Sequence, residues 1–532
     1  MEFAGSKLAE EWLPFALSFI AVMSTVVLAK VVLNYVVPHL KAVAVEKAMR
    51  KQDIPIVPGR KFLEGHPGAS LACADPPDQD SSDPHNIYPL LKFQYLNSKA
   101  YGPTHVYWRG TEVTLHTLDP EIAKAVFITN FSCFEKSYIQ VKQFEDLVGP
   151  QGLTSVGGKT WARQRKIVSP AFRMEKLKKL VSPMVQSVDG FVANWVKEAK
   201  QAGGSTEIQV NESMPQLTAD VILCTAFGTS YNEGRLYFEK EMKIVASIAM
   251  KALNGSRVGQ SLIPTAENRR IWRLRREIKQ LLENIFQQRR ENSKVGDEAS
   301  YGNDLLGLMM AASEELEPKK RLSNQELIDQ TKTFLFAGSD TTATGLIWVL
   351  MFLSSHQDWQ EKAYAEIKRF CDPGKPFDYD SLNKLKIVGN IINETLRLYP
   401  PAVWIQRQAQ REVQVGKLYI PTGLTIYVNV SGMQTDPDLW GPDANQFNPD
   451  RFADGVSKAA KHPQAFAAFS LGPRNCVGQI FGMLELKVII ASILQRFLLS
   501  PSPNYRHRPT LRTMHPKPQF GMPIIFTLRS GS

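Results

Sequence analysis

The chain has 532 residues, 43% of them hydrophobic and 22% charged, with a formal net charge of +11. That much apolar material supports one large core and excludes a disordered or fibrous chain. Five cysteines without regular spacing exclude a disulfide framework and point to a reducing compartment. The positive charge alone would admit nucleic acid as a partner. However, the basic residues are spread along helical stretches such as 173–179 and 269–276, with no aromatic-interleaved motif or Cys/His finger beside them. A basic surface meeting anionic lipid and an acidic protein partner explains the sign, and no nucleic-acid role is expected.

In chain order, residues 13–29 (LPFALSFIAVMSTVVLA) come first, as an uncharged apolar run. As a helix it covers about 26 Å, close to the ~30 Å hydrocarbon core of a bilayer. Lys30 interrupts the run and can snorkel, and residues 31–37 continue it. Glu10 and Glu11 precede it, whereas Lys41, Lys47, Arg50, Lys51, Arg60 and Lys61 follow, so the positive-inside rule keeps the bulk of the chain cytosolic. A cleaved signal peptide is the rival, but the run is long and its leading segment carries little positive charge. Residues 1–40 are therefore expected to form a single N-terminal transmembrane anchor. Residues 41–64 are expected to be a basic, proline-rich hinge, because Ile54-Pro-Ile-Val-Pro-Gly59 cannot continue a helix. No internal repeat or mid-chain linker divides residues 65–532, which are expected to be one catalytic domain. Its first stretch, 65–84, reads as a long polar and acidic surface loop.

Further along, Trp161-Ala-Arg-Gln-Arg165 sets Trp161 and Arg165 at i and i+4, on one face of a helix. Ser323-Asn-Gln-Glu326 is a capping box opening a proline-free helical pattern of about thirty residues. Helices of that length are rare in ordinary domains, so this one is expected to cross the whole molecule. Its apolar middle holds Phe336, Ala337, Gly338, Asp340 and Thr341. Gly338 costs about 1 kcal/mol of helix propensity relative to Ala, and an acid followed by hydroxyls is a poor structural choice there. Alone, the motif reads equally as a helix kink with hydroxyls bonded back to carbonyls. Glu394 and Arg397 lie at i and i+3; as a surface pair they would be commonplace and worth under about 1 kcal/mol.

The most informative segment is Phe469-Ser-Leu-Gly472-Pro-Arg474-Asn-Cys476-Val-Gly478. A thiolate that ligates haem iron needs a tight loop, backbone N–H groups aimed at the sulfur, and a cation for a haem propionate. Gly472 and Gly478 allow the turn and a close approach of backbone to porphyrin, Arg474 supplies the cation, and Phe469 shields the sulfur. A buried, inert thiol is the ordinary reading for Cys73, Cys133, Cys224 and Cys371. With a thiolate-bound haem, the long helix also acquires a purpose. Small residues open a gap for dioxygen, Thr341 donates a proton or holds a water, and Asp340 connects that relay to solvent.

The cysteine loop resembles that of the haem-thiolate monooxygenases, the cytochrome P-450 superfamily. The resemblance covers the chain from Pro55 to the C-terminus and is carried by five ordered motifs. These are Trp161/Arg165, the Gly338-Asp340-Thr341 helix, Glu394-x-x-Arg397, Pro449-Asp-Arg451-Phe452 and the cysteine loop. Gly-Pro-Arg-Asn-Cys-Val-Gly-Gln479 and Arg-Gln-Arg-Lys-Ile-Val-Ser-Pro170-Ala-Phe172 are similar to the plant non-A-type enzymes of the seventy-two clan, which act on triterpenoids and plant hormones. The small departures are Asp450 where Glu is commoner and the long 65–84 loop.

The resemblance implies a mainly α fold with small β-sheets around haem b as iron protoporphyrin IX, with Cys476 as the metal ligand. Trp161, Arg165, Arg407 and Arg474 would hold the propionates, and Ala337 and Gly338 would line the oxygen side. Arg397 and Arg451 would lock Glu394 as a structural triad. Phe336, Ala402, Val403 and Trp404, with the stretches 141–153 and 515–519, would line an apolar pocket or serve as plain core. The implied activity is hydroxylation of a hydrophobic small molecule with O2 and electrons from an NADPH-dependent reductase, at the endoplasmic-reticulum membrane. Two rivals remain: a haem-thiolate isomerase or dehydratase, whose members often lose the acid–threonine pair, and a membrane-tethered haem-binding protein without turnover, which needs no proton relay.

Overall fold

The structure, a computed structural model, describes residues 18, 22, 24–25, 36–61, 65–66, 90–228, 231–253, 264–293, 301–302, 304–317, 320–372, 375–511 and 514–529. The apolar run 13–29 therefore lies outside the described residues but for four of them, as does most of the 65–84 loop. Helices dominate: α1 (Val37–Arg50), α2 (Tyr138–Val148), α3 (Gly158–Val168), α4 (Met174–Gln201), α5 (Val210–Ala226), α6 (Tyr231–Leu253), α7 (Ala266–Asn292), α8 (Asn324–Ser355), α9 (Lys386–Leu398) and α10 (Gln479–Arg496).

The centre of the fold is α8, and its start is written locally. Ser323 accepts from the Glu326 N–H at 3.2 Å, and Glu326 accepts from the Ser323 N–H at 2.8 Å, closing the capping box. The helix then runs unbroken to Ser355 with most of its side chains buried. Among the described residues it is the one helix long and apolar enough to cross a membrane, yet 78% of its most apolar window is buried in protein. It is a core helix, buried because α5, α9 and α10 pack around it.

Strands His105–Arg109, Glu112–Thr117, Thr425–Val428, Ile405–Ala409 and Phe134–Glu135 form one sheet in that order. All its pairs are antiparallel except Glu112–Thr117 with Thr425–Val428. A smaller sheet joins Ser205–Gln209, Pro523–Leu528 and Phe497–Pro501. Both sheets thus tie early chain to late chain and clamp the helical core from its margins. The proline segment is part of this body: the Val57 N–H donates to the Val106 carbonyl at 2.9 Å, and the Val106 N–H donates to the Pro55 carbonyl at 2.8 Å. Helix α1 spans the expected 40/41 boundary and buries Val45 and Met49 against the sheet.

On one face of the larger sheet, His105 and His116 stack as cross-strand neighbours with ring centroids 4.5 Å apart, and Tyr427 stacks beside His116. Burial, and then the neighbouring His105, push the His116 imidazole from 6.5 down to about 3. The unfolded chain therefore binds a proton that the fold refuses, so this stability is present above pH ~6.5 and is lost as pH falls toward 3. Between pH 6.5 and 4 the wild type should lose about 3 kcal/mol more than His116→Phe, read from urea midpoints. Parallel pH slopes for the two proteins would contradict this.

Candidate functional site

The loop entering α10 holds Cys476 by its backbone. The Cys476 N–H donates to the Phe469 carbonyl at 2.9 Å, and the Asn475 N–H donates to the Gly472 carbonyl at 3.0 Å. Ser470 and Gly472 make the turn with φ of 63° and 70°. A Cβ on Gly472 would lie 1.9 Å from the Phe127 carbonyl oxygen, so only glycine fits. Gly478 differs from expectation: its φ is −90°, and a Cβ there would make only an ordinary 3.6 Å contact with Phe172. Its contribution is the N–H. Burial pushes the Cys476 thiol up, while the Gly478 N–H and the Arg165 guanidinium pull it back toward the thiolate. Of the described cysteines, Cys133 and Cys371 are buried and Cys224 is partly so; Cys476 alone is exposed, though its neighbours crowd it closely enough to desolvate the thiol.

Around that loop the structure gathers cations from four separate segments. Arg165, on α3, donates to the Asn475 carbonyl at 2.9 Å and to Asn475 Oδ1 at 3.1 Å. Arg474 lies 4.5 Å over the Trp161 ring and donates to Glu135 at 2.6 Å. Arg407, on strand Ile405–Ala409, lies over Phe127 and donates to the Gln406 carbonyl. Burial and then the Arg474 charge push the Arg407 guanidinium down to about 10. Lys136 joins them, its ammonium pushed well below the usual range by burial and by Arg407 and Arg474. Sequence reasoning missed Lys136 and Glu135, since a lone Glu-Lys pair carries no spacing signal.

The residues fit a haem. Arg474 Nε and Nη1 are buried with no hydrogen-bond partner among the described residues, which is costly unless an anion belongs there. A single accessible thiol suits an iron already held by four porphyrin nitrogens, and no group of three His, Cys, Asp or Glu able to cage a metal occurs among the described residues. Cys476 would supply the thiolate ligand, and Arg474, Arg407, Arg165, Lys136 and Trp161 would meet the propionates.

The middle of α8 supplies the other groups. At Gly338 the space of a side chain is taken by Ile222 of α5, whose Cδ1 would lie 2.8 Å from an added Cβ. Ala337 is half-buried, with its carbonyl accepting from the Thr341 hydroxyl at 2.7 Å. The hydroxyl thus bonds back along the helix and keeps its oxygen as an acceptor. Asp340 pairs with Lys517 at 2.9 Å and lies 3.4 Å from His515 Nε2. Burial raises its carboxyl, but Lys517 and His515 outweigh that and hold it below the usual range, as a carboxylate.

The expected pocket residues divide. Phe336 is buried with Leu147, Val148 and Val245 in a small apolar cluster and stacks on His515. Ala402 is exposed and Trp404 half-buried, stacked on Tyr427. Val403 is fully buried in the main core cluster.

Glu394, on α9, is fully buried and is clamped by Arg397 through two bonds of 2.7 Å, with Arg451 Nε at 3.4 Å and the Asn448 N–H at 2.9 Å. Arg397 also donates to the carbonyls of Gln434, Ala444 and Gln446, and Arg451 to those of Trp440 and Asp443. The cluster thereby fixes the irregular chain between 434 and 452 that leads to the cysteine loop.

Comparison with known proteins agrees with this geometry. The cytochrome P450 family model matches residues 88–524. The chain is 37% identical over 460 residues to cytochrome P450 709B1 of Arabidopsis thaliana, covering 86% of each. It is 38% identical over 492 residues to cytochrome P450 734A2 of Oryza sativa subsp. japonica, covering 88% of this chain and 87% of the relative. It is likewise 38% identical over 439 residues to cytochrome P450 72A15 of Arabidopsis thaliana, covering 82% and 83%.

Proposed function

The chain belongs to the cytochrome P450 family and is a haem-dependent monooxygenase, and from that premise we propose that it hydroxylates a hydrophobic, terpenoid- or hormone-like small molecule. Electrons come from NADPH through a reductase, the haem is iron protoporphyrin IX, and the 13–29 run tethers the domain to the cytosolic face of the endoplasmic reticulum. The observation that carries the catalytic reading is the Asp340–Lys517 ion pair one residue before Thr341.

When bound, haem supplies the iron on which dioxygen is reduced and a substrate C–H bond attacked. The chain does the rest. Cys476 presents its sulfur from a rigid loop, so the donor needs no reorganisation. The cations around Arg474 neutralise carboxylates that would otherwise be buried unpaired. Asp340, held as a carboxylate by Lys517 and His515, can accept a proton arriving from solvent and pass it inward, while Lys517, with about a quarter of its side chain exposed, keeps that end of the relay in touch with water. Thr341, next along the helix, holds a water or passes that proton on, because its hydroxyl oxygen remains free to accept. Phe336 and Trp404 present apolar faces to the substrate and exclude bulk water.

Thr341→Ala tests the relay. Haem content and substrate affinity should stay near wild type, while product formed per NADPH falls by about tenfold or more. Unchanged coupling would remove Thr341 from the mechanism.

A further inference from the structure

A second space lies away from the cysteine loop. A cavity of about 150 Å3 sits between α2, α6, α7 and the first turns of α8, lined by Glu145, Glu241, Ile244, Arg275, Asp329 and Lys332 among others. Nearly all its charges are committed. Glu145 pairs with Lys142 at 2.5 Å, Arg275 with Asp146 at 3.4 Å, and Asp329 with Lys332 at 3.2 Å while also accepting from the Gln151 N–H at 3.0 Å. Glu241 is the exception. It is 1% exposed, and neither carboxyl oxygen has a hydrogen-bond partner among the described residues. An orphaned buried carboxyl is costly enough to require a reason.

The cavity also has a direction. Gln325, Asp329, Lys332, Phe336 and Asp340 recur at i, i+4, i+7, i+11 and i+15, a single stripe of α8. The first three line the cavity, Phe336 belongs to the apolar cluster, and Asp340 adjoins Thr341. Helix α6 repeats the order: Glu241 and Ile244 line the cavity, while Val245 and Ile248 join Phe336. Both helices therefore run from the polar cavity to the apolar Phe336 cluster, and α8 continues from there to Asp340 and Thr341. Along α8 the nine residues from Lys332 to Thr341 span about 14 Å.

We propose that this cavity seats the hydroxyl end of an elongated, otherwise apolar substrate whose oxidised carbon lies beside Thr341, with Glu241 accepting the hydroxyl hydrogen bond. This rests on the monooxygenase reading of the site. A hydroxyl is favoured by the surrounding charges. An ammonium would meet Arg275 and Lys332, and a carboxylate would meet Glu145, Asp329 and Glu241. Burial pushes the Glu241 carboxyl up to about 7 against the pull of Lys332 and Arg275, and a hydroxyl can pair with that group in either protonation state.

The probes are dodecan-1-ol and dodecane, titrated optically into the haem-loaded full chain. The wild type should bind the alcohol about tenfold more tightly than the alkane, the net value of one ordinary hydrogen bond. Glu241→Leu should erase that preference and leave dodecane affinity unchanged, which also reports an intact fold. If Glu241→Leu yields no haem-loaded protein, Ile244→Phe, which fills the cavity, should erase the preference instead. Equal affinities in the wild type, or a preference that survives both variants, would overturn the proposal and leave the cavity to water alone. Failure of the monooxygenase reading would look different: the alcohol preference and its loss in Glu241→Leu would persist, but no hydroxylated product would form with reductase.

Discussion

Replacing Cys476 by serine should abolish the red-shifted carbon monoxide band of the reduced, haem-loaded protein and lower turnover by at least about a thousandfold. Serine is chosen because the loop does not depend on the sulfur. Its turn is made by the Cys476 N–H on the Phe469 carbonyl, by Ser470 and Gly472 at positive φ, and by Arg165 gripping Asn475. All of these survive the substitution, so what changes is the donor atom. A hydroxyl holds its proton where a thiol yields one, and the Gly478 N–H and Arg165 charge that favour a thiolate cannot make an alkoxide of serine at neutral pH. The measurement is the carbon monoxide difference spectrum beside haem content. A red-shifted band persisting in Cys476→Ser would show that another group is the ligand, and the catalytic reading would fall with it.

Arg397→Ala should destabilise the protein by about 3–5 kcal/mol, the cost of breaking a buried ion pair from one side. Both partners are fully buried, so water cannot replace the lost guanidinium. Glu394 would keep only Arg451 at 3.4 Å and the Asn448 N–H, and the carbonyls of Gln434, Ala444 and Gln446 would lose their donor. Each such acceptor adds its own penalty. Because those carbonyls belong to the chain leading into the cysteine loop, recovery of haem-loaded protein should fall together with the urea midpoint. Lys at 397 should not rescue it, since a single ammonium cannot serve two carboxylate oxygens and three carbonyls in one plane. A wild-type midpoint in Arg397→Ala would mean that the triad carries no structural load.

The features legible beforehand share a physical character. The Ser323–Glu326 capping box, the pairing of Glu394 with Arg397, the common face of Trp161 and Arg165, and the turn at Gly472 all depend on spacings of roughly ten residues or fewer. Their partners are set by helix geometry or by one φ angle, so the sequence alone predicts them. Glycine is required for the turn at Gly472, where a carbonyl lies 1.9 Å from an added Cβ, whereas Gly478 has an ordinary φ and makes no left-handed turn. At Gly338 the helix by itself does not show what packs where a side chain would be. The residue that fills the space, Ile222, comes from α5.

By itself, then, the sequence determined the family, the cysteine loop, the long central helix and the Glu394–Arg397 pair. Tertiary structure alone decided that Lys517 and His515 hold Asp340 ionised, that Glu135 and Lys136 join the cations around Arg474, that Val403 is core, and that Glu241 faces a cavity without a partner among the described residues. The reason is loop closure. Lys517 lies 177 residues from Asp340, and Glu135 lies 339 from Arg474. Contacts at such separations follow no period and are chosen by the packing of the whole core, which brings the segments together.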